Sequence, residues 1–418
     1  MSDEGQMLKE EGFDHSLKLL KEGYEFIINR RQSMGSNVFE TSLLAQKAIC
    51  LSGSEGAKLF YDETRFRRKD AASLPVKKTL FGEGGVQGLD DDEHRHRKSM
   101  FMQLASQGAA QEIRELTRAY WERALEHWKI RDEIILYDEV KKILTQVACK
   151  WVGVPLDDGE VDKRADQLSE LFESPARVNL GHFKGWIARS KAERWIAALV
   201  SKIRKGELNI DEERALHQFA WHKDLEGELL EERVVAVEIL NLLRPTVANA
   251  IWINFLVLAI HEHPDKVEML GEEQEERLHW FVQEVRRYYP FFPFTAARVR
   301  KNFTWHECQF EEGTLVLLDL YGTNRHPDDW HEPEAFKPER FADGAGGPFN
   351  FIPQGGGEYK TGHRCAGEWI TLATLTESLN FLVNAMEYTL PEQDLSFSLT
   401  DIPAIPKDRI KMTHLQPK

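Results

Sequence analysis

Apolar positions recur at helical spacing through most of the chain. The segments that carry this pattern are residues 110–128, 132–151, 159–173, 185–205, 228–262 and 272–288. Three shorter runs between turn residues predict strands instead, at 47–51 (KAICL), 295–300 (TAARVR) and 314–319 (TLVLLD). The pattern therefore predicts a mainly α fold with small β-sheets.

The composition of the sequence changes near residue 320, where a Pro- and Gly-rich stretch without helical periodicity begins. It reads TNRHPDDWHEPEAFKPERFADGAGGPFNFIPQGGG. Loops of this length are uncommon in compact domains unless they bind or position something. No internal repeat or Pro/Ser-rich linker divides the rest of the chain.

The most apolar segment, residues 234–260, is long enough to suggest a membrane span. Glu238, Arg244 and Pro245 interrupt it, and the part after Pro245 falls short of the roughly 20 residues that a span needs. The first twenty residues have neither the basic start nor the apolar run of a signal peptide. We expect a buried core helix and no membrane span.

Composition and charge narrow the class of ligand. The 418 residues are 42% hydrophobic, with a formal net charge of -15, so the average field repels nucleic acid and anionic membrane surfaces. The four cysteines are scattered without paired spacing, which disfavours a disulfide framework and favours the reducing cytoplasm. A small-molecule ligand is the expectation.

One cysteine stands in a distinctive place. Cys365 ends a glycine-rich loop and directly precedes an amphipathic helix, whose N-terminus should lower the pKa of the thiol and suit it as a metal ligand. The loop reads FIPQGGGEYKTGHRC. Cys50, Cys149 and Cys308 are interpreted as buried structural thiols.

Upstream, Glu284 and Arg287 form an i,i+3 pair on one helix face, closed by Pro290. The spacing alone is weak evidence, because Glu115 and Arg118 share it and are interpreted as a surface pair.

The order of three elements carries a specific resemblance. Glu284 and Arg287 are followed by Pro338-Glu339-Arg340-Phe341 and then by the Cys365 loop, and this series resembles the cytochrome P450 superfamily over essentially the whole chain. The resemblance implies that residues 1–418 form a single haem-thiolate domain, a triangular helical prism around haem b. It also implies that Cys365 is the axial ligand of the iron and that Glu284, Arg287 and Arg340 form a buried triad.

The same resemblance implies a set of basic residues on the haem propionates: Arg68, His94, Lys98 and His363. The alternative for His94 and His96 is a solvated polar face. The loop before Cys365 is longer than is usual in the superfamily. A zinc site is not expected, because the HRH and HEH motifs have neither Cys nor Glu-x-x-His spacing.

Arg244 and Pro245 stand where the superfamily usually has an acid and a threonine that deliver protons. A proline in mid-helix frees a carbonyl and kinks the helix. A buried arginine lacks a counter-charge until an anion arrives, and its guanidinium matches a carboxylate. An intramolecular salt bridge from Arg244 to an acidic side chain such as Glu238 is the less favoured alternative, since no acid lies at i±3 or i±4 on the same helix face.

The Arg-Pro pair is similar to that of the bacterial fatty-acid peroxygenases, as are YDETRF, TLFGEGGVQGLDDDEHRHRK and GHRCAGEW. This resemblance implies hydrogen peroxide as oxidant and no obligatory redox partner. The substrate carboxylate would pair with Arg244 and act as the acid-base group, which directs attack to the α or β carbon.

Three further residues are candidates for contacts with the substrate. Phe81 and Phe292 are expected to line an apolar channel, although both could be plain core. By the same resemblance, Gln87 stands where the strongest decarboxylases of the branch have histidine, so glutamine favours hydroxylation. The alternative is that Gln87 is a loop residue without a role.

Three other functions are alternatives to fatty-acid hydroxylation. They are decarboxylation of the fatty acid to a terminal alkene, a conventional monooxygenase fed by a redox partner, and a non-catalytic haem or lipid carrier.

Overall fold

Helices account for most of the residues that the structure describes. A computed structural model describes residues 7–175, 180–268, 270–271 and 275–418. In chain order the helices are α1 Ser16–Glu22, α2 Phe26–Met34, α3 Gly53–Phe60, α4 Leu74–Val76, α5 Asp91–Gln103, α6 Gln107–Trp128, α7 Leu136–Val152, α8 Val161–Glu173, α9 Leu180–Arg204, α10 Ala215–Ala220, α11 Glu232–Glu262, α12 Pro264–Val267, α13 Glu275–Tyr288, α14 Leu320–Thr323 and α15 Glu368–Asn380.

The predicted helical segments are confirmed, with two adjustments. The segment 132–151 starts with a short strand before α7, because Ile134 and its neighbours pair with the last strand of the chain. Residues 272–274 of the segment 272–288 lie outside the described residues. Single helical turns of other types cover Gly23–Glu25, Lys77–Phe81, Val86–Gly88, Asp158–Glu160, Pro338–Phe341 and Phe381–Ala385.

Helix α11 forms the centre of the core. Its residues from 235 to 259 are buried except for the half-buried Pro245, and it packs against α7, α8, α9, α13 and α15. Although it is long and apolar enough to cross a membrane, 89% of its most apolar window lies inside the protein. Each aliphatic side chain buried in this way stabilises the fold by about 1.5 to 3 kcal/mol. The expected core helix is confirmed.

The strands form small sheets, as predicted. They are β1 Leu8–Lys9, β2 Val38–Leu43, β3 Gln46–Leu51, β4 Phe66–Arg67, β5 Glu133–Ile135, β6 Phe294–Val299, β7 Phe303–Trp305, β8 Cys308–Phe310, β9 Leu315–Asp319, β10 Met386–Thr389 and β11 Lys411–Pro417. The largest sheet has the order β1-β2-β3-β9-β6-β4, and the other two are β10-β11-β5 and β7-β8.

The six-stranded sheet joins distant parts of the chain. Strand β3 pairs in parallel with β9 in the register Ala48↔Leu315, and β9 pairs antiparallel with β6 in the register Phe294↔Asp319. Ile49 and Leu318 are fully buried in the apolar cluster beneath it. The sheet therefore fixes the N-terminal strands against the segment that leads into the long loop region.

That loop region is anchored to α13 by buried charges. The Arg287 guanidinium donates to both carboxylate oxygens of Glu284 at 2.7 and 2.8 Å, and Arg340 Nε lies 3.2 Å from Glu284. Arg287 also donates to the carbonyl of Pro333 at 2.9 Å. The expected triad is present, and it holds the loop against the helix.

The interpretation of Glu115 and Arg118 as a surface pair is wrong. Arg118 pairs with Glu122 at 3.3 Å and with Glu377 of α15 at 3.0 Å, while Glu115 accepts a hydrogen bond from Gln111. Arg118 thus joins α6 to α15, because tertiary packing places a carboxylate closer than its helical neighbour.

Candidate active site

The loop that carries Cys365 has a path that only glycine permits at several points. A Cβ at Gly356 would lie 2.4 Å from the carbonyl oxygen of Pro348, and Gly357 has φ +82° with Tyr61 packed over it. The backbone N–H of Cys365 donates to the carbonyl of Gln354 at 3.4 Å. The tight path therefore presents Cys365 immediately before α15.

The charge state of Cys365 differs from the expectation. Burial raises the pKa of the Cys365 thiol, the Glu368 carboxylate raises it further, and the N–H of Gly367 with the charges of Lys98 and Arg286 opposes the shift. The predicted lowering by the helix N-terminus is wrong for the protein alone, because desolvation outweighs a single N–H group. A metal cation bound at the sulfur would supply the charge that favours the thiolate.

The predicted basic residues surround this loop. Lys98 Nζ donates to the carbonyl oxygens of Gly362 and, at 2.8 Å, of Arg364. The rings of His94 and His363 stack at 3.8 Å. Arg68 lies with them, since its charge acts on both histidines. The structure thus brings Arg68, His94, Lys98 and His363 together, and His94 is buried rather than on a solvated face.

Burial disfavours the charged forms of these basic groups, although Asp90 lies 3.8 Å from His363. Burial lowers the pKa of His94 to about 4 and that of Lys98 to about 8, and it lowers the pKa of Arg68 as well. The desolvated cations of Arg68 and Lys98 are costly unless an anion joins them, and the neutral histidines can donate hydrogen bonds to the same anion. The cluster is therefore suited to the carboxylates of an anionic cofactor, such as the propionates of a haem.

A metal ion is a weaker interpretation of the same cluster. Ligand atoms of Glu63, His94 and His363 lie within 4.8 Å of one another, a proximity that sequence spacing could not reveal. Arg68 and Lys98 beside them would repel a cation, however. The haem interpretation fits the donor set better, with Cys365 as the iron ligand and the basic groups on the carboxylates.

Arg244 occupies a buried place on α11 without a carboxylate partner among the described residues. Its guanidinium donates to the side-chain oxygen of Asn241 at 3.3 Å, and its Nε has no hydrogen-bond partner. Burial lowers the pKa of Arg244 to about 9, the charge of Arg189 adds to this, and Cys365 opposes it. The guanidinium is therefore poised for an external anion within electrostatic reach of Cys365.

The alternative salt bridge from Arg244 to Glu238 is wrong. Glu238 pairs with Arg97 at 2.9 Å and accepts from the Asn241 amide at 3.0 Å. Burial raises the pKa of Glu238, and Arg97 opposes the shift.

Gln87 belongs to the same hydrogen-bond network. Its side-chain oxygen accepts from the Asn241 amide at 3.1 Å, while the Asn241 oxygen accepts from Arg244. Asn241 thus links Gln87 to Arg244. Sequence reasoning missed Asn241, and the available signal was its position three residues before Arg244 on one helix face.

Arg189 of α9 is a second residue that the sequence did not reveal. It is 2% exposed, pairs with Glu193 at 2.7 Å, and donates to the carbonyl oxygen of Phe81 at 3.4 Å. A Cβ at Gly82 would lie 1.9 Å from its guanidinium. Arg189 therefore fixes the segment that ends in Phe81, and only the fold places it there.

Pro245 and the two candidate aromatic residues occupy different environments. Pro245 lies within α11 beside Arg244. Phe81 is half-buried beside Arg189. Phe292 is also half-buried and packs edge-on against Phe291, whose ring stacks on Trp252 of α11 at 3.7 Å. Contacts of Phe81 and Phe292 with a substrate stay predictions.

The other three cysteines are free thiols. Cys50 and Cys149 are fully buried, as interpreted, whereas Cys308 at the β7-β8 turn is only half-buried.

Comparison with known proteins agrees with this arrangement. The family model described as cytochrome P450 matches residues 223–400. The solved structure of cytochrome P450EX alpha with myristic acid is 48% identical, with 99% of each chain covered and a TM-score of 0.95. That of cytochrome P450SP alpha with (R)-ibuprophen is 42% identical, covering 97% of this chain and 99% of the other, also at 0.95.

Two more distant proteins extend the comparison. A variant of cytochrome P450 OleT in complex with arachidonic acid is 32% identical, with 99% of each chain covered and a TM-score of 0.95. Cytochrome P450 716A1 of Arabidopsis thaliana is 21% identical, covering 86% of this chain and 80% of its own.

Proposed function

The chain belongs to the cytochrome P450 superfamily and, within it, to the bacterial fatty-acid peroxygenase branch, and from this premise we propose that it hydroxylates long-chain fatty acids at the α and/or β carbon with hydrogen peroxide. It is thus a haem-thiolate oxidoreductase that acts on fatty acids. The oxidant, the position of attack and the independence from a redox partner are parts of the proposal.

The observation that carries the proposal is the unpaired guanidinium of Arg244. Among the described residues, only Asn241 accepts a hydrogen bond from this buried cation, and a carboxylate would form a charge-assisted and bidentate pair with it. Fatty acids provide this group together with an apolar chain. Similar structures hold myristic and arachidonic acids.

The position of Arg244 also accounts for the chemistry proposed. The proton-delivering acid of ordinary members is absent from its place on α11, so the bound carboxylate takes over the acid-base role beside Arg244 and Pro245. Holding the carboxylate there leaves only the first carbons of the chain within reach of the oxidant. Asn241 orients the guanidinium, and Gln87 holds Asn241 from the other side.

Residues of this chain would hold haem b as cofactor. Cys365 would ligate the iron, and Arg68, His94, Lys98 and His363 would bind the propionates. When bound, a thiolate-ligated haem supplies the electron density that favours cleavage of the peroxide O–O bond.

Decarboxylation to terminal alkenes is the second candidate. The observation relevant to it is Gln87, which sits within the Arg244 network where a histidine would add a titratable group. Since glutamine cannot exchange a proton at this position, hydroxylation is favoured.

Product analysis tests the proposal. The purified haem-loaded protein is incubated with hydrogen peroxide and saturated fatty acids of several lengths, and products are identified by mass spectrometry. Hydroxy acids are expected to dominate. A majority of alkene would support decarboxylation, turnover only with a nicotinamide-fed donor would indicate a conventional monooxygenase, and binding without turnover would indicate a carrier.

A further inference from the structure

The N-terminal half of α9 leaves large apolar side chains at the protein surface. Phe183, Trp186 and Ile187 are 56%, 46% and 53% exposed. Their spacing of three and four residues places them on one helix face, and the ring centroids of Phe183 and Trp186 are 6.5 Å apart. A contiguous exposed apolar face of this kind marks a site of interaction.

The same face is basic, although the protein as a whole is acidic. It carries three exposed cationic side chains, those of Lys184, Lys191 and Arg194. The one acid among residues 183–194, all of which are described, is Glu193, which is 13% exposed and pairs with Arg189 and Arg233. We call Phe183, Lys184, Trp186, Ile187, Lys191 and Arg194 the α9 surface.

The α9 surface adjoins the wall of the candidate site. The Lys78 ammonium lies 4.7 Å from the centre of the Trp186 ring. Lys78 belongs to the helical turn Lys77–Phe81, whose last carbonyl accepts from Arg189. This short segment therefore contacts Trp186 of the α9 surface through Lys78 and the buried Arg189 through the carbonyl oxygen of Phe81.

We propose that the α9 surface docks on a lipid surface that carries free fatty-acid carboxylates, from which the substrate passes to the site. This inference rests on the proposed function and adds the source of its substrate. Exposed Trp and Phe beside Lys and Arg suit the boundary between headgroups and acyl chains, where apolar rings insert and cations meet anions. The protein would lie on the lipid and would not span it.

The net charge of -15 does not oppose this docking at contact distance. Salt limits electrostatic interactions to about 8 Å at physiological ionic strength, so the cations of the α9 surface act on the lipid more strongly than distant carboxylates do. The expected repulsion from anionic membranes concerns the average field. A second copy of the chain is a poorer occupant, because a two-fold contact would place these cations against their own copies.

Vesicle binding tests the inference directly. Wild-type protein is sedimented with phosphatidylcholine vesicles that contain or lack palmitate, beside the variants Trp186→Ser/Ile187→Ser and Lys184→Gln/Lys191→Gln. We expect binding that depends on palmitate and weakens with salt. Loss of two cations should lower it roughly 30-fold, and the apolar variant should lose it too. Ile130→Ser removes a 90% exposed side chain elsewhere and should bind as wild type does.

A kinetic measurement separates docking from catalysis. Both α9 variants should show a raised KM for vesicle-borne palmitate and unchanged turnover of the monomeric octanoate. Absence of palmitate-dependent binding by the wild type, equal binding by the variants, or a change only in a monomer–dimer equilibrium would overturn the proposal. If the wild type oxidises neither octanoate nor palmitate with peroxide, the proposed function fails, and vesicle binding still decides the docking.

Discussion

At the scale of single residues, the site depends on the guanidinium of Arg244, which has no carboxylate partner in the described part of the chain. Arg244 is buried, Asn241 orients it, and Glu238 is committed to Arg97 instead. The carboxylate that would neutralise Arg244 is therefore expected to arrive with the substrate.

Arg244→Leu is expected to lose fatty-acid binding and peroxide-driven turnover together while its haem spectrum stays normal. Truncating one partner of a buried charged pair costs about 2 to 5 kcal/mol, which corresponds to a loss of several powers of ten. Substrate titration and initial rates measure both effects. Arg123→Leu, at an exposed arginine paired with Asp158, is the control; near-normal turnover in Arg244→Leu would contradict the role.

Gln87→His is expected to raise the share of terminal alkene among the products, because histidine adds a group that titrates near neutrality inside the Asn241 network. Mass spectrometry of the products gives the ratio. Gln111→His, at an exposed position of α6, should leave the ratio unchanged, and an unchanged ratio in Gln87→His would make Gln87 a loop residue without a role.

Cys365→Ala is expected to abolish the red-shifted Soret band of the reduced carbonyl complex, since no other cysteine lies in the basic cluster. Cys308→Ala, at a half-buried thiol in the β7-β8 sheet, should keep the band. Retention of the band in Cys365→Ala would show that another group ligates the iron.

At the scale of elements, buried charge joins the long loop region to α13, beside the aromatic contact between Phe336 and Phe281. The long loop region before Cys365 is held by Arg287 and Arg340, which converge on Glu284 of α13. Losing Glu284 would leave both guanidinium groups with backbone carbonyl acceptors but without a counter-charge, which is a severe penalty for buried cations.

Glu284→Gln is expected to lower the free energy of unfolding by about 3 to 5 kcal/mol, with release of haem before global unfolding because the loop supports the Cys365 segment. Denaturant titrations followed by far-UV dichroism and by Soret absorbance measure the two events. Glu115→Gln on α6 serves as control; equal stability of the two variants would refute the anchoring role.

Much of this architecture could be predicted from the sequence. The long helices and the strands β3, β6 and β9 follow from periodicity, because each carries its own apolar pattern. Strand β5 and the pairing of β10 with β11 could not be predicted, since three or four residues hold no clear period and their partners are far away. Cys365 and Arg244 stood out by local chemistry, and Asn241 offered only its spacing of three residues to Arg244, whereas the role of Arg189 depends on tertiary neighbours.

At the scale of the whole molecule, the sheets tie distant segments into one unit. Strand β5 pairs with β11, and β3 pairs with β9. Because these pairings join early and late parts of the chain, dividing the chain at a single point does not give two halves whose strands pair only within each half. We propose on this basis that residues 1–418 act as a single haem-thiolate domain.

Calorimetry is expected to show one unfolding transition that coincides with loss of the Soret band, because the shared sheets make unfolding cooperative. The same scan on haem-free protein should give a lower Tm, since a ligand bound only by the native state stabilises it. Two transitions at different temperatures would contradict the proposal of one domain.

The pairing of β3 with β9 also has a consequence for synthesis on the ribosome. Leu51 meets its partner Leu318 only after 267 further residues have been translated, which at about 5 to 20 residues per second takes on the order of tens of seconds. During this interval the apolar strand β3 has one open edge. The nascent chain is therefore a candidate client for chaperones that shield such edges, and slower translation should lengthen its exposure.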